Sequence, residues 1–237
     1  MVSKDTAATE GRPVETVRSG RQWILVWCAA SLLFLAGTLL PAAEARAVTP
    51  DPSAQLRPFI DKVTQIISDA KDRQDPNCNL CQRIIDVARE RFDFREMSKR
   101  VLGRQWRKLS KKEQDEFVQL FTTLLQYAYI GNIQEYSGQK IEFRKQRIKG
   151  RRAEVQTVLV DEEKTIPVSY IMILKGDQWL VYDIVVEGVS LVRNYMEQFR
   201  QILRKEKYDG LVQKLRDKIK TLEQQRREQF VSKDDDG

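Results

Sequence analysis

The chain has 237 residues, is 41% hydrophobic and 32% charged, and carries a net charge of +7, the composition of a folded chain and not of a disordered one. Histidine is absent, which excludes serine–histidine and cysteine–histidine triads and removes imidazole as a metal ligand or proton shuttle.

The first residues read as an export segment. Lys4, Arg12, Arg18 and Arg21 precede an apolar run from Trp23 to Leu40, Pro41 ends it, and small residues follow. Ala45-Arg46-Ala47 fits the small-x-small rule for signal peptidase, with cleavage before Val48, and Ala43-Glu44-Ala45 offers a second site. An uncleaved inner-membrane anchor is the other reading, because the run is close to the shortest that spans a bilayer. The bulky Trp27 before Cys28 argues against a lipid-modified cysteine. In either case the remainder is expected in the periplasm, away from nucleic acid. The expected division is a signal segment over 1–47, a linker over 48–55, an α+β domain over 56–207, a helical extension over 208–231 and a disordered tail over 232–237.

Leu56 to Lys71 carries Phe59, Val63, Ile66 and Ile67 at helical spacing. A second helix is predicted from Leu80 to Arg91. "FDFREMSKRVLG" gives a short third helix with Gly103 as its stop. Ser110 followed by Glu113 is a capping box. It opens the longest helix of the domain, expected to reach Tyr136, whose stripe includes Phe117, Phe121, Leu124, Leu125, Tyr129 and Ile133. That stripe fits a protein core, and it also fits a ligand lining.

After Ser137-Gly138 the period changes to two. Four strands are predicted, over 140–148, 152–161, 165–175 and 178–187, separated by short polar or glycine turns, so the sheet is an antiparallel meander. Strict alternation places Val155 and Leu159 on one face of the second strand, and Tyr170 and Met172 on one face of the third. In the fourth it places Trp179, Val181 and Val185 on one face and Leu180, Tyr182, Ile184 and Val186 on the other. Strands three and four are apolar on both faces, so both must be covered, by helices or by a ligand. A helix from Val189 to about Lys207 and a last helix from Leu211 to about Phe230 follow, parted by Asp209-Gly210.

Three constellations have competing readings. Cys78-Asn-Leu-Cys81 can close a local disulfide in an oxidising compartment, remain reduced, or act as a thiol redox pair. A zinc site lacks further ligands. Lys140 to Glu154 is densely basic: a charged edge strand that resists edge-to-edge pairing, or a surface for a phosphate head group or an acidic partner. Asp183 stands alone on an apolar strand, either catalytic or a structural carboxylate that accepts hydrogen bonds.

Several of these segments, in this order, resemble one family: "FDFREMSKRVLGRQW", "FVQLFTTLLQYAYIGNIQEYSG", "IPVSYIMI" and "WLVYDIVVEGVSLVRNYMEQFRQIL". Trp179, Tyr182-Asp183, Glu187-Gly188, Ser190-Leu191 and Asn194-Tyr195 through Phe199 carry most of it. The chain resembles the MlaC, or toluene-tolerance auxiliary, family: periplasmic phospholipid-binding components of the Mla lipid-transport system, which maintains outer-membrane lipid asymmetry. The resemblance implies an α+β fold similar to nuclear-transport-factor-like domains, with a curved four-stranded antiparallel sheet packed with helices and acyl chains between the layers. It implies a phospholipid ligand and no other cofactor. It also implies shuttling between an outer-membrane lipoprotein–porin complex and an inner-membrane ABC transporter, without enzymatic chemistry. A related branch of the family is associated with hopanoids. Phe121, Leu125, Tyr129, Val155, Leu159, Tyr170, Met172, Val181 and Val185 are the candidate tail-lining residues. The sequence departs from the pattern at Met196, where an arginine is expected, at the Cys78–Cys81 pair, and in the final helix. A ligand-free interaction module and a thiol oxidoreductase using Cys78 and Cys81 are the alternatives.

Overall fold

The computed structural model describes residues 49–69, 79–129, 139–160 and 164–234, with side chains as far as residue 228. All lie in one compact unit, Val48–Gly237. The export segment, Cys78, Ile133 and Tyr136 lie outside the described residues.

The first helix, α1 (Pro52–Ser68), starts earlier than its apolar period suggests. Asp51 caps it, its Oδ1 accepting from Ser53 N at 2.8 Å and Ala54 N at 3.1 Å, and Pro52 fills the first turn. Both are helix-start features, so the second half of the expected linker, from Pro52, is helix. Helix α2 (Asn79–Arg91) lies against α1 through Ile84 and Val87, which meet Ile66 and Ile67. Helix α3 (Phe94–Leu102) is capped by Asp93, whose Oδ1 accepts from Glu96 N at 2.9 Å, and stops at Gly103 with φ 54°. The capping box forms before α4 (Lys111–Tyr129): Glu113 accepts from Ser110 N at 2.7 Å, and Ser110 Oγ accepts from Glu113 N at 3.3 Å.

The sheet contains β1 (Lys140–Lys149), β2 (Arg152–Val160), β3 (Thr165–Lys175), β4 (Gln178–Val186) and the two-residue β5 (Val189–Ser190). It is an antiparallel meander in the order β1-β2-β3-β4-β5. The four long strands match expectation, and β5 is an addition. Glu187 (φ 51°) and Gly188 (φ 83°) form the two-residue turn between β4 and β5, where two positive φ values match the right-handed twist of the strands.

Strict alternation fails in β4. Ile171 pairs with Asp183, but Met172 pairs with Val181, so Tyr182 is an extra residue. Such a bulge reverses the parity beyond it. Val181 therefore faces one side of the sheet with Met172 and Ile184, while Asp183 and Val185 face the other with Ile171. Val181 and Val185, expected on one face, lie on opposite faces.

Helix α5 (Leu191–Asp234) completes the fold and bends at Lys207, whose φ of 60° and ψ of −162° are not helical. The expected break at Asp209-Gly210 thus falls two residues earlier. Gly210 serves the bend by close approach instead: a Cβ there would lie 2.4 Å from Glu206 Cβ. The segment expected as an extension is part of the core. Tyr208, Leu211, Val212 and Leu215 are buried against Phe117, Phe121, Leu124 and Leu125 of α4.

Candidate functional site

One face of the sheet is largely apolar. Cross-strand pairing puts Ile148, Ala153, Met172 and Val181 in one row, Gln146, Val155, Tyr170 and Ile184 in the next, then Phe143, Thr157, Val168 and Val186, and finally Ile141, Leu159 and Ile166. Opposed residues share a face, so these rows form a single surface.

Helix α1 seals one end of that surface. Leu56 and Ile60 pack against Ala153, Val155, Met172, Trp179 and Val181. Each large apolar side chain buried there stabilises by about 1.5–3 kcal/mol. Polar bonds fix the lid in register. Gln55 Oε1 accepts from Trp179 N at 2.7 Å and from Arg91 Nη1 at 3.2 Å, and Gln55 Nε2 donates to Asp177 O at 2.8 Å. The Trp179 indole donates to Pro50 O at 2.7 Å, and Ser53 Oγ donates to Gln146 Oε1 at 2.6 Å.

The other end of the same surface is open to a degree. Ile141, Phe143, Leu159, Ile166, Val168, Tyr170 and Ile184 are half-buried, and the hairpin valines Val186 and Val189 are 42% and 62% exposed. A contiguous apolar floor left only half-covered by the described helices is unusual in a folded chain. Burial pushes the Tyr170 phenol up to about 12, and its hydrogen bond with Thr157 works against that rise. Tyr170 is therefore neutral and adds no charge to the floor.

The reverse face divides along the strands. On β1 and β2 it carries Glu142, Arg147, Lys149, Arg152, Glu154 and Gln156, whereas Ile171, Ile173 and Tyr182 meet the helices. Phe121 lies with its ring centroid 5.2 Å from Tyr195 and 6.0 Å from Phe199. This is an edge-to-face aromatic core, a geometry that adds stability beyond area burial.

The candidate lining residues thus fall into three groups. Val155, Met172 and Val181 are fully buried beneath α1, while Leu159 and Tyr170 lie on the open floor. Phe121 and Leu125 are buried in the helical core with α5, where Tyr129 sits 45% exposed beside Tyr195, and Val185 is on the reverse face. The structure brings the first two groups together and keeps the third apart. Ile166, Val168 and Ile184 belong to the floor as well. Their register against Leu159, Thr157 and Tyr170 could have been found by pairing the strands on paper, but for Ile184 only with the bulge known.

The MlaC protein family's sequence profile matches residues 57–217, more than half of the chain. The chain belongs to the MlaC family. The intermembrane phospholipid transport system binding protein MlaC of Haemophilus influenzae is 26% identical over 122 residues, 49% of this chain and 57% of that protein. The match therefore spans little more than half the length of that relative. The phospholipid-binding protein from Ralstonia solanacearum, solved in complex with a phospholipid, shares the fold with a TM-score of 0.67 at 23% identity, over 73% of this chain and 98% of that one.

In this MlaC chain the residues that carry the family pattern are largely scaffold. Asp183 Oδ2 accepts from Ser190 Oγ at 2.5 Å and Asp183 Oδ1 from Val192 N at 2.9 Å, while Ser190 Oγ accepts from Arg193 N at 3.0 Å. Strand β4 thus caps the helix that follows it, and Asp183 is a structural carboxylate. Asp93 caps α3, pairs with Lys175 and receives its own backbone bond from β4, Asp93 N donating to Val181 O at 2.8 Å. Cys81 is fully buried and disulfide-bonded; its expected partner Cys78 lies outside the described residues. Among the described residues no three carboxylate or thiol groups cluster as metal ligands, and no helix is long and apolar enough to cross a membrane.

Proposed function

We propose that this MlaC chain is a periplasmic lipid carrier that holds phospholipid acyl chains against the open apolar floor of the sheet. The observation that carries the reading is that half-covered floor, Leu159, Ile166, Val168, Tyr170 and Ile184. Val155, Met172 and Val181 close its deep end beneath α1. The family membership and the phospholipid in the Ralstonia relative support the same ligand.

No catalytic group is needed for such work. Each methylene removed from water stabilises by about 0.8 kcal/mol, so two acyl chains on an apolar floor bind tightly without a dense polar lining. Carriage between the inner-membrane ABC transporter and the outer-membrane complex follows as the wider role. The name of the Haemophilus relative, an intermembrane transport binding protein, supports it.

The test is an organic extract of the protein purified from bacteria, read by mass spectrometry. Stoichiometric phospholipid is expected. Leu159→Trp, which adds bulk to the floor, should reduce occupancy while the unfolding midpoint stays within a few degrees. An extract holding no lipid overturns the proposal. A hopanoid in place of phospholipid overturns the ligand assignment alone. Full occupancy in the folded Leu159→Trp protein moves the site off this floor.

A further inference from the structure

The reverse side of the molecule holds a second apolar recess with a different rim. A cleft of about 600 Å³ lies between the end of α3 and the first third of α5, with Val101, Leu102, Met196 and Leu203 in its floor. A second hollow of about 490 Å³ continues from it, lined by Ile171, Tyr182 and Val185 of the sheet, and Met196 lines both. Together they follow α5 from Arg193 to Arg204, about three turns and about 17 Å at 1.5 Å per residue.

Arginines rim this groove. Arg100 stands 3.8 Å over the Tyr182 ring and pairs with Glu96 at 2.9 Å, and Arg200 pairs with Glu197 at 2.7 Å. The Nε of Arg100 is buried without a hydrogen-bond partner. Arg104, Arg193 and Arg204 also line the groove, and their guanidinium groups make no ion pair or hydrogen bond among the described residues. Asp183, the one carboxylate among the described lining residues, has both oxygens committed to Ser190 and Val192. The rim is therefore a field of unspent positive charge around an apolar strip.

We infer that this groove docks an acidic amphipathic helix of a partner protein. The α5 side chains that line the groove, Val192, Met196, Arg200 and Leu203, recur at three- and four-residue steps, the spacing at which a second helix presents its own stripe. The unpaired guanidiniums match carboxylates on the flanks of such a helix, and complementary charge of this kind sets partner choice and speeds encounter. A flat anionic lipid surface would reach the arginines but not Met196 between the walls. The groove lies on the opposite face of the sheet from the floor assigned to acyl chains, so a docked partner leaves that floor clear. The inference does not depend on lipid being bound.

The probe is a fluorescein-labelled synthetic helix of about three turns with leucines at i, i+3, i+4 and i+7 and glutamates on its flanks, titrated with the full protein and followed by anisotropy. A scrambled peptide of equal composition and phosphatidylglycerol vesicles are run beside it. Saturable binding of the helix is expected, at least tenfold weaker in the Arg104→Glu, Arg204→Glu double variant and in Met196→Glu, and at least tenfold weaker for the scramble. If the glutamate changes lower the unfolding midpoint, Arg104→Ala with Arg204→Ala serves in their place, with a smaller loss in the same direction. The inference is overturned if the helix does not bind, if it binds variants and scramble as well as it does the native pair, or if vesicles bind with the same dependence on these arginines and the peptide does not compete.

Discussion

Replacing Asp183 by alanine should loosen the start of α5 more than its place in mid-strand suggests. The carboxylate accepts from Ser190 Oγ at 2.5 Å and from Val192 N at 2.9 Å. Losing a helix cap costs about 0.5–2 kcal/mol, and a hydrogen bond to a charged group contributes about 1.5–3 kcal/mol. Asp183 is only half-buried, so water recovers part of both, and the expected loss is about 2–3 kcal/mol. For a domain of this size that lowers the melting temperature by about 5–10 °C. Asp183→Asn keeps an oxygen for the Val192 amide and should lose roughly half as much. Denaturant unfolding gives the global value, and hydrogen exchange at the Val192 and Arg193 amides gives the local one. An alanine variant within about 0.5 kcal/mol of the native protein, with both amides still protected, would refute the capping role.

Gly210→Ala should destabilise by about 1–3 kcal/mol by crowding Glu206, opposite in sign to the gain of about 1 kcal/mol that alanine brings to an ordinary helix interior; thermal unfolding decides. Gln55→Ala should cost about 1–3 kcal/mol because the Trp179 amide loses its acceptor, and amide exchange at Trp179 should rise with it. Burial raises the phenols of Tyr170 and Tyr208, each to about 12, and nearby Glu116, Glu113 and Asp209 assist at Tyr208, while Arg216 opposes. The folded state then holds these protons more tightly than an unfolded chain that releases them near ~10. Their contribution is complete below pH ~10 and is lost as pH rises through about 12. Phenolate absorbance should show a late-ionising class that titrates together with loss of circular dichroism. All tyrosines ionising near the ordinary value in a fold that stays intact would contradict it.

The strands were legible because each turn announces itself. Gly150 and Gly176 take φ of 57° and 61°, and the alternation between them holds for eight residues or more. The α1 lid was half legible: its apolar period is plain, but its first turn is held by Asp51 and Pro52, which the composition of a linker also contains. The bulge at Tyr182 left no trace in the sequence, since one added residue changes neither hydropathy nor length enough to notice. That single residue displaced Val185 from the surface expected of it and brought Ile184 there instead. Phe121 and Leu125 show the other limit. Their spacing fixes a buried helix face, but a face rich in phenylalanine and leucine looks the same whether it meets α5 or an acyl chain. The tertiary partner, which periodicity does not encode, decides between them.

The extra residue in β4 also lets the strand lose one residue without trading its two sides. Adjacent Ile171 and Met172 pair with Asp183 and Val181, so deleting Tyr182 would restore plain alternation and leave Val181 and Ile184 on the apolar floor and Asp183 toward α5. The injury would fall on the helical side alone, where the Tyr182 ring is buried among the residues of α3 and α5 and lies beneath Arg100. The bulge thus serves the helix-facing core, and the floor needs only the parity on either side of it.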